Sequence, residues 1–350
     1  LRATKAFSST PDIQSPLIDG IAKHAGLKGT SDLRYPNFGT VSKDGKKAVV
    51  FHHGHFIEGT YRLMSTIAGV LAGQERLSLT VGQLSSENAN WIDFGWSSFG
   101  DATSVGDDIT ALYEYLSVGS EAHILKSRVA DAIEPLIASR LPMGGERKVQ
   151  QLVRMTLMAL IDATFVAYSD TERFSQTQFL SPSSLAGLAW YLAEPTKTQI
   201  KEELSAVPED LTFIFGHTHK PFEDSIVVDG FNGPVTVCNT GGWMLDTPRL
   251  DGKEGASLVL VDDDHNVVSI RMFQTSEASR TENDIARLVS SPCKSGEAFL
   301  DKVNFTLGET TDLWLTLAGT ANDAYKSRQE YLLEHTHSID VQSAGTGAIL

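Results

Sequence analysis

Phe213-Ile214-Phe215-Gly216-His217-Thr218-His219-Lys220-Pro221 decides how this chain reads. An apolar, β-type run ends in a glycine, and two histidines one residue apart follow at once. Residues i and i+2 of an extended chain point the same way, so both imidazoles can reach one spot beyond the strand end. Gly216 lets backbone and ligand approach closely. Upstream, residues 46–51 (KKAVVF) read as a buried strand running straight into His52-His53-Gly54-His55. Two such strand ends side by side would gather three or four imidazoles. That donor set suits Zn, Fe, Ni and Cu, and Mn when carboxylates join.

A single histidine after a strand is ordinarily a solvated or hydrogen-bonded loop residue. The repeated pattern of strand, glycine and histidine turns the balance toward a metal site. His335-Thr336-His337 repeats the letters after the helix-like QEYLLE, without strand or glycine, and reads as exposed and without function. His52, next to His53 on a strand, is expected on the opposite surface. Lys220 reads by default as an exposed loop lysine, and Glu58 as a cap for a following helix.

With 350 residues and 41% apolar content, the chain can bury a sizeable core. The net charge of −15 disfavours a protein that tracks nucleic-acid backbone, which depends on Lys and Arg to neutralise phosphates. The two cysteines, Cys238 and Cys293, are far apart, so a disulfide framework is not expected and a cytoplasmic, reducing setting is. Cys238, in VTVC, reads as a buried packing residue. The most apolar stretch, 152–168, carries Arg154 and Asp162 and reads as a buried helix rather than a membrane span.

Outward from the histidine strands, a short helix is expected at 16–25 and a turn at Asp44-Gly45. Helical periodicity appears at 60–72, 107–116, 121–140, 146–168, 183–193 and 196–204, with Pro195 separating the last two. Residues 89–99, rich in aromatics, read as a loop. Strands are expected at 225–228, 235–238, 256–261 and 267–273, with a hairpin turn at Asp263-Asp264-His265-Asn266 that exposes His265. Helices follow at 283–289 and 321–333. A structureless interval of the length between His53 and His217 is uncommon in a compact domain, so a helical subdomain is expected there. The organisation is therefore a core from 1–57 and 206–280, a helical insert at 58–205, and a C-terminal extension at 281–350.

GHTHKP after a strand, HHGH at an upstream strand end, and Val237-Cys238-Asn239-Thr240-Gly241-Gly242-Trp243 closing a further strand resemble the calcineurin-like metallophosphoesterases. The resemblance covers about 46–59 and 211–273 and does not extend to 60–205 or 280–350. It implies an α/β fold, a partial α/β/β/α sandwich with the helical insert as a cap. It also implies hydrolysis of a phosphomonoester or phosphodiester through two divalent ions, Mn, Fe or Zn. In that family the centre is built from Asp-x-His, Gly-Asp, Gly-Asn-His-Asp/Glu, a lone His and Gly-His-x-His, in order. His53 matches the lone histidine and His217 and His219 the final pair. His53 and His217 would then hold one ion and His219 the other, with His55 on the substrate side.

Asn239 and Thr240 are candidates either to hold the ring nitrogens of His217 or His219, or simply to form the turn. The earlier motifs do not precede His53, and Gly100-Asp101 and Gly106-Asp107 fall after it. The expectation is therefore an N-terminally truncated fragment that holds fewer metals, with the acid/base histidine outside the chain. The competing reading is a non-catalytic interaction module with a vestigial metal site, its helical insert contacting a membrane or a partner. Nothing in the sequence indicates an oligomeric state.

Overall fold

A computed structural model describes residues 3–8, 14–71, 79–100, 179–242, 255–274, 289–294 and 296–345, together with positions 151, 154, 155 and 158. The chain is mixed α/β. One sheet of five strands runs in the order β1-β2-β3-β5-β4. These are β1 (Asn37–Val41), β2 (Lys47–His52), β3 (Asp210–Phe215), β4 (Phe222–Ile226) and β5 (Val235–Asn239). The central pairs β2–β3 and β3–β5 are parallel, while β1 and β4 add antiparallel edges. Strands buried on both faces read as continuous apolar runs, which is why AVVF and LTFIF were legible. A second, antiparallel sheet holds β6 (Gly255–Val261), β7 (Val267–Gln274) and β8 (Val289–Lys294).

Alternation along the strands sorts side chains into two cores. Val50, Phe213 and Val237 face a helical layer and pack with Leu188, Tyr191, Leu192 and Ile200. Each large apolar side chain so buried contributes about 1.5–3 kcal/mol. Val49, Ile214 and Cys238 point the other way and meet Val267, Val259 and Val261 of the second sheet. Between the sheets the Glu223 carboxylate accepts hydrogen bonds from Ser269 and from Arg271, the latter at 2.9 Å. Val268 and Ile270, on the far face of the second sheet, pack on Val303 and Leu307 of α6 (Glu297–Glu309). The layers therefore run helices, five-stranded sheet, three-stranded sheet, helices.

The helical layer comes from α4 (Pro182–Tyr191) and α5 (Lys197–Leu204). A π-helical turn, Leu192–Thr196, joins them and contains Pro195. The expected break at Pro195 is thus a widened turn. Proline lacks the N–H of an i→i−4 bond, and the looser ladder accommodates it. The other helices are α1 (Pro16–His24), α2 (Leu63–Leu71), α3 (Val81–Gly100) and α7 (Thr311–Gly345). The aromatic stretch at 89–99, expected as a loop, lies in α3. Asn88 anchors that helix to α2, accepting from the Met64 N–H at 3.0 Å and donating to Ser65 Oγ at 2.7 Å. The expected helices at 107–116 and 121–140 lie outside the described residues, as does most of 146–168. Val289, expected to close a helix, instead opens β8.

Cys238 is buried as expected, but it is disulfide-bonded. The sequence's other cysteine is Cys293, in β8, and β5 and β8 are in contact across the two sheets. Distance along the chain misled because the sandwich folds β8 back over β5. Among the described residues, no helix is long and apolar enough to cross a membrane. His265 is half-buried rather than exposed, at φ 59° with both ring nitrogens buried.

Candidate metal centre

Parallel pairing decides where the histidines meet. His52 at the end of β2 lies opposite Phe215 at the end of β3, so both chains leave the sheet along the same edge. The Gly216 N–H donates to the His53 carbonyl at 3.1 Å, extending the ladder one step past the strands. Beyond this point the His53 and His217 rings stand 5.0 Å apart between centroids, edge to face at 65°. The chain after β2 turns at Gly54, φ 111°, into a 3-10 turn at His55–Ile57 and another at Gly59–Arg62. These turns bring His55, Glu58 and Tyr61 back over the strand ends.

Nδ1 of His55 lies 3.2 Å from Nδ1 of His53, and its Nε2 lies 3.4 Å from the Tyr35 hydroxyl. Expected on the substrate side, His55 is instead buried, and His53 is the exposed member of the pair. His52 occupies the face opposite its neighbour. It is stacked beneath His55 and beside Tyr191 and Phe213, and its Nδ1 accepts from the Gly54 N–H at 2.7 Å. Burial holds His52 and His55 well below the ordinary imidazole range, and neighbouring imidazoles add to the effect. Both rings are therefore neutral near pH 7, the form in which histidine binds metal.

His217 Nε2 stands 3.0 Å from Glu58 Oε1, with side chains only 2% and 10% exposed. The edge of Tyr61 meets the same ring at 4.9 Å and 82°. Sequence reasoning read Glu58 as a helix cap, with a metal role as the unsupported alternative, and did not single out Tyr61. Both are carried by the turns after Gly54, and no pattern in the sequence shows those turns folding back. Arg62, on the same turn, is pushed down to about 10 by burial, an effect opposed by Glu58. Its guanidinium lies 4.6 Å above the Trp190 ring.

His219 is half-buried, and a Cβ added at Gly242 would stand 2.7 Å from its ring. His217 and His219 both have positive φ, 75° and 60°. Such backbone is uncommon outside glycine and persists only where surroundings enforce it. Here β5 provides the enforcement. Asn239 Nδ2 donates to Thr218 Oγ1 at 2.6 Å, and its Oδ1 accepts from the Gly241 N–H at 2.8 Å. Thr240 contributes its backbone N–H to the Phe215 carbonyl at 2.8 Å. Of the two roles open to Asn239 and Thr240, these bonds belong to the turn rather than to imidazole nitrogens. Lys220, expected at the surface, is 2% exposed.

The donor chemistry fits a divalent cation in part. Two imidazole nitrogens 3.2 Å apart match the spacing of neighbouring ligands on a tetrahedral ion with bonds of about 2.0–2.1 Å. Nδ1 of His217 is buried without a hydrogen-bond partner, as an unfilled coordination position would be. Among the described residues, however, no group of three or more His, Cys, Asp or Glu side chains is set to hold a metal as it stands. Comparison with known proteins adds nothing to the geometry, for no family model, curated protein or solved structure matches the chain.

Proposed function

We propose that this chain contributes imidazole ligands to the metal centre of a phosphoesterase that hydrolyses a phosphomonoester or phosphodiester. The observation that carries the reading is the meeting of His53 and His217, rings 5.0 Å apart, at the shared edge of parallel neighbours β2 and β3. The resemblance of HHGH, GHTHKP and the strand ending in Asn239 to calcineurin-like metallophosphoesterases supports it. So does the layering of helices and two sheets, which agrees with the sandwich of that family.

Divalent ions, when bound, would polarise the phosphoryl oxygens and acidify a water molecule toward neutral pH. The chain's own part is to position donors. His53 and His217 would hold one ion and His219 a second. Burial keeps His55 neutral beside His53, and Asn239 holds the loop that presents the histidine pair in its unusual backbone form. The half-buried site and the net charge of −15 suit a small phosphorylated substrate better than a nucleic acid.

The test is turnover of p-nitrophenyl phosphate and bis(p-nitrophenyl) phosphate by the protein with Mn²⁺ or Zn²⁺. Expected is hydrolysis that chelation abolishes and metal restores, reduced to background by His53→Ala and His217→Ala. A folded protein that takes up neither metal and hydrolyses neither ester removes the reading and leaves a non-catalytic interaction module in its place.

A further inference from the structure

We propose that Glu58 is a positioning residue that selects which nitrogen His217 offers to a divalent cation. The inference rests on the metal-centre reading, and it concerns a residue that reading does not use. Glu58 follows the 3-10 turn His55–Ile57, and its Oε1 lies 3.0 Å from His217 Nε2. An ionised carboxylate can only accept hydrogen bonds, so the proton of this contact belongs to Nε2. Nδ1 of the same ring is buried and has no hydrogen-bond partner. A proton there would be a buried donor without an acceptor, which is disfavoured. The ring is therefore the neutral Nε2–H tautomer with a bare lone pair at Nδ1.

The surroundings hold that arrangement. Tyr61 closes on the ring edge to face at 4.9 Å, and His53 does so at 5.0 Å from another side. Arg62, on the Gly59–Arg62 turn, interacts electrostatically with Glu58. A carboxylate on one imidazole nitrogen fixes the ring's orientation and raises the basicity of the other, the arrangement that metal-binding histidines use. If the pair served only to tie the Gly59–Arg62 turn to the strand end, its removal would lower stability without changing the tautomer.

The experiment reads tautomer and metal affinity separately from catalysis. Long-range ¹H–¹⁵N spectra of protein labelled in histidine are recorded without metal, with His217 assigned by the loss of its signals in His217→Gln. Zn²⁺ and Mn²⁺ alone are then titrated calorimetrically. Expected are a protonated Nε2 and a bare Nδ1 in the parent protein, and a mixed tautomer in Glu58→Ala with Zn²⁺ affinity lower by about 10–100-fold. Glu58→Gln, whose amide oxygen still accepts, should recover the tautomer and most of the affinity.

The proposal is overturned by a proton on Nδ1 in the parent protein. Affinity and tautomer unchanged in Glu58→Ala, or a parent protein that binds neither ion, overturn it equally. The parent spectrum carries the first part whatever the stability of the variants. Glu58-dependent binding without ester hydrolysis would keep this inference and reject the phosphoesterase.

Discussion

At Gly54 the backbone takes φ 111°, and a Cβ there would stand 2.8 Å from the Gly216 carbonyl oxygen and 2.9 Å from His217 Cβ. Glycine is required twice over, for the left-handed turn and for the close pass of the two strand ends. Gly54→Ala should therefore lower unfolding free energy by about 1–3 kcal/mol in urea titration. A substitution without effect would mean that the two histidine segments do not pass so closely. Both glycines of this pass, Gly54 in HHGH and Gly216 in GHTH, were legible in the sequence, as was the expectation that the two strand ends lie side by side.

The buried imidazoles give a second expectation at this scale. His52 and His55 are held well below 6.5 in the folded protein, chiefly by burial. Unfolded chains bind those protons near pH 6.5 whereas the folded one does not, so stability is fully present above that pH and falls as pH drops toward the folded values. Urea midpoints measured from about pH 8 to about pH 5 should decline, and His52→Gln should flatten the decline. A flat profile in the parent protein would show the rings to be solvated.

Among the elements, the contact of α4 with the His55–Ile57 turn is the tightest to test. A Cβ at Gly187 would overlap the Ile57 carbonyl oxygen. The helix can lie this close only because the position has no side chain. Gly187→Ala should push α4 off the turn that carries His55, at a cost of about 1–3 kcal/mol or more. The accompanying sign should be a changed environment for Trp190, followed by fluorescence.

Strands β2, β3, β5, β6 and β7 could be read from the sequence because each is an apolar or alternating run bounded by turn residues. β1 could not, since Asn-Phe-Gly-Thr-Val is short and polar at its start. Its Asn37 is buried only because Tyr191 donates to it at 3.1 Å and it donates to Gln199 at 2.7 Å, partners supplied by remote helices. For the same reason His53 and His217 were legible as candidates, while Glu58 and Tyr61 depend on a fold-back that local pattern does not encode. Asn239 and Thr240 were singled out correctly as residues at the strand end, and only the structure separates their bonds to the turn from bonds to a ring.

At the scale of the molecule, the two sheets are held by an apolar seam and by the Glu223, Ser269 and Arg271 cluster, and Cys238 in that seam is disulfide-bonded. A covalent link between distant parts of a chain acts mainly by restricting the unfolded state. Reduction should lower stability by about 2–4 kcal/mol, measured by urea unfolding with and without reductant. Peptide mapping without reductant should recover Cys238 in a cross-linked fragment, and a free thiol there would remove the effect.

The partnership of β2 with β3, in which Lys47 pairs with Asp210, has a kinetic consequence. Residues 53–209 must be looped out before that ladder can form, and chains dominated by such remote pairings reach the native state slowly. The histidine edge is consequently among the last features to exist during refolding. On the proposed metal-centre reading, cations offered to the denatured chain would meet scattered imidazoles instead of an assembled edge, so recovery should be higher when they are added after renaturation than before it.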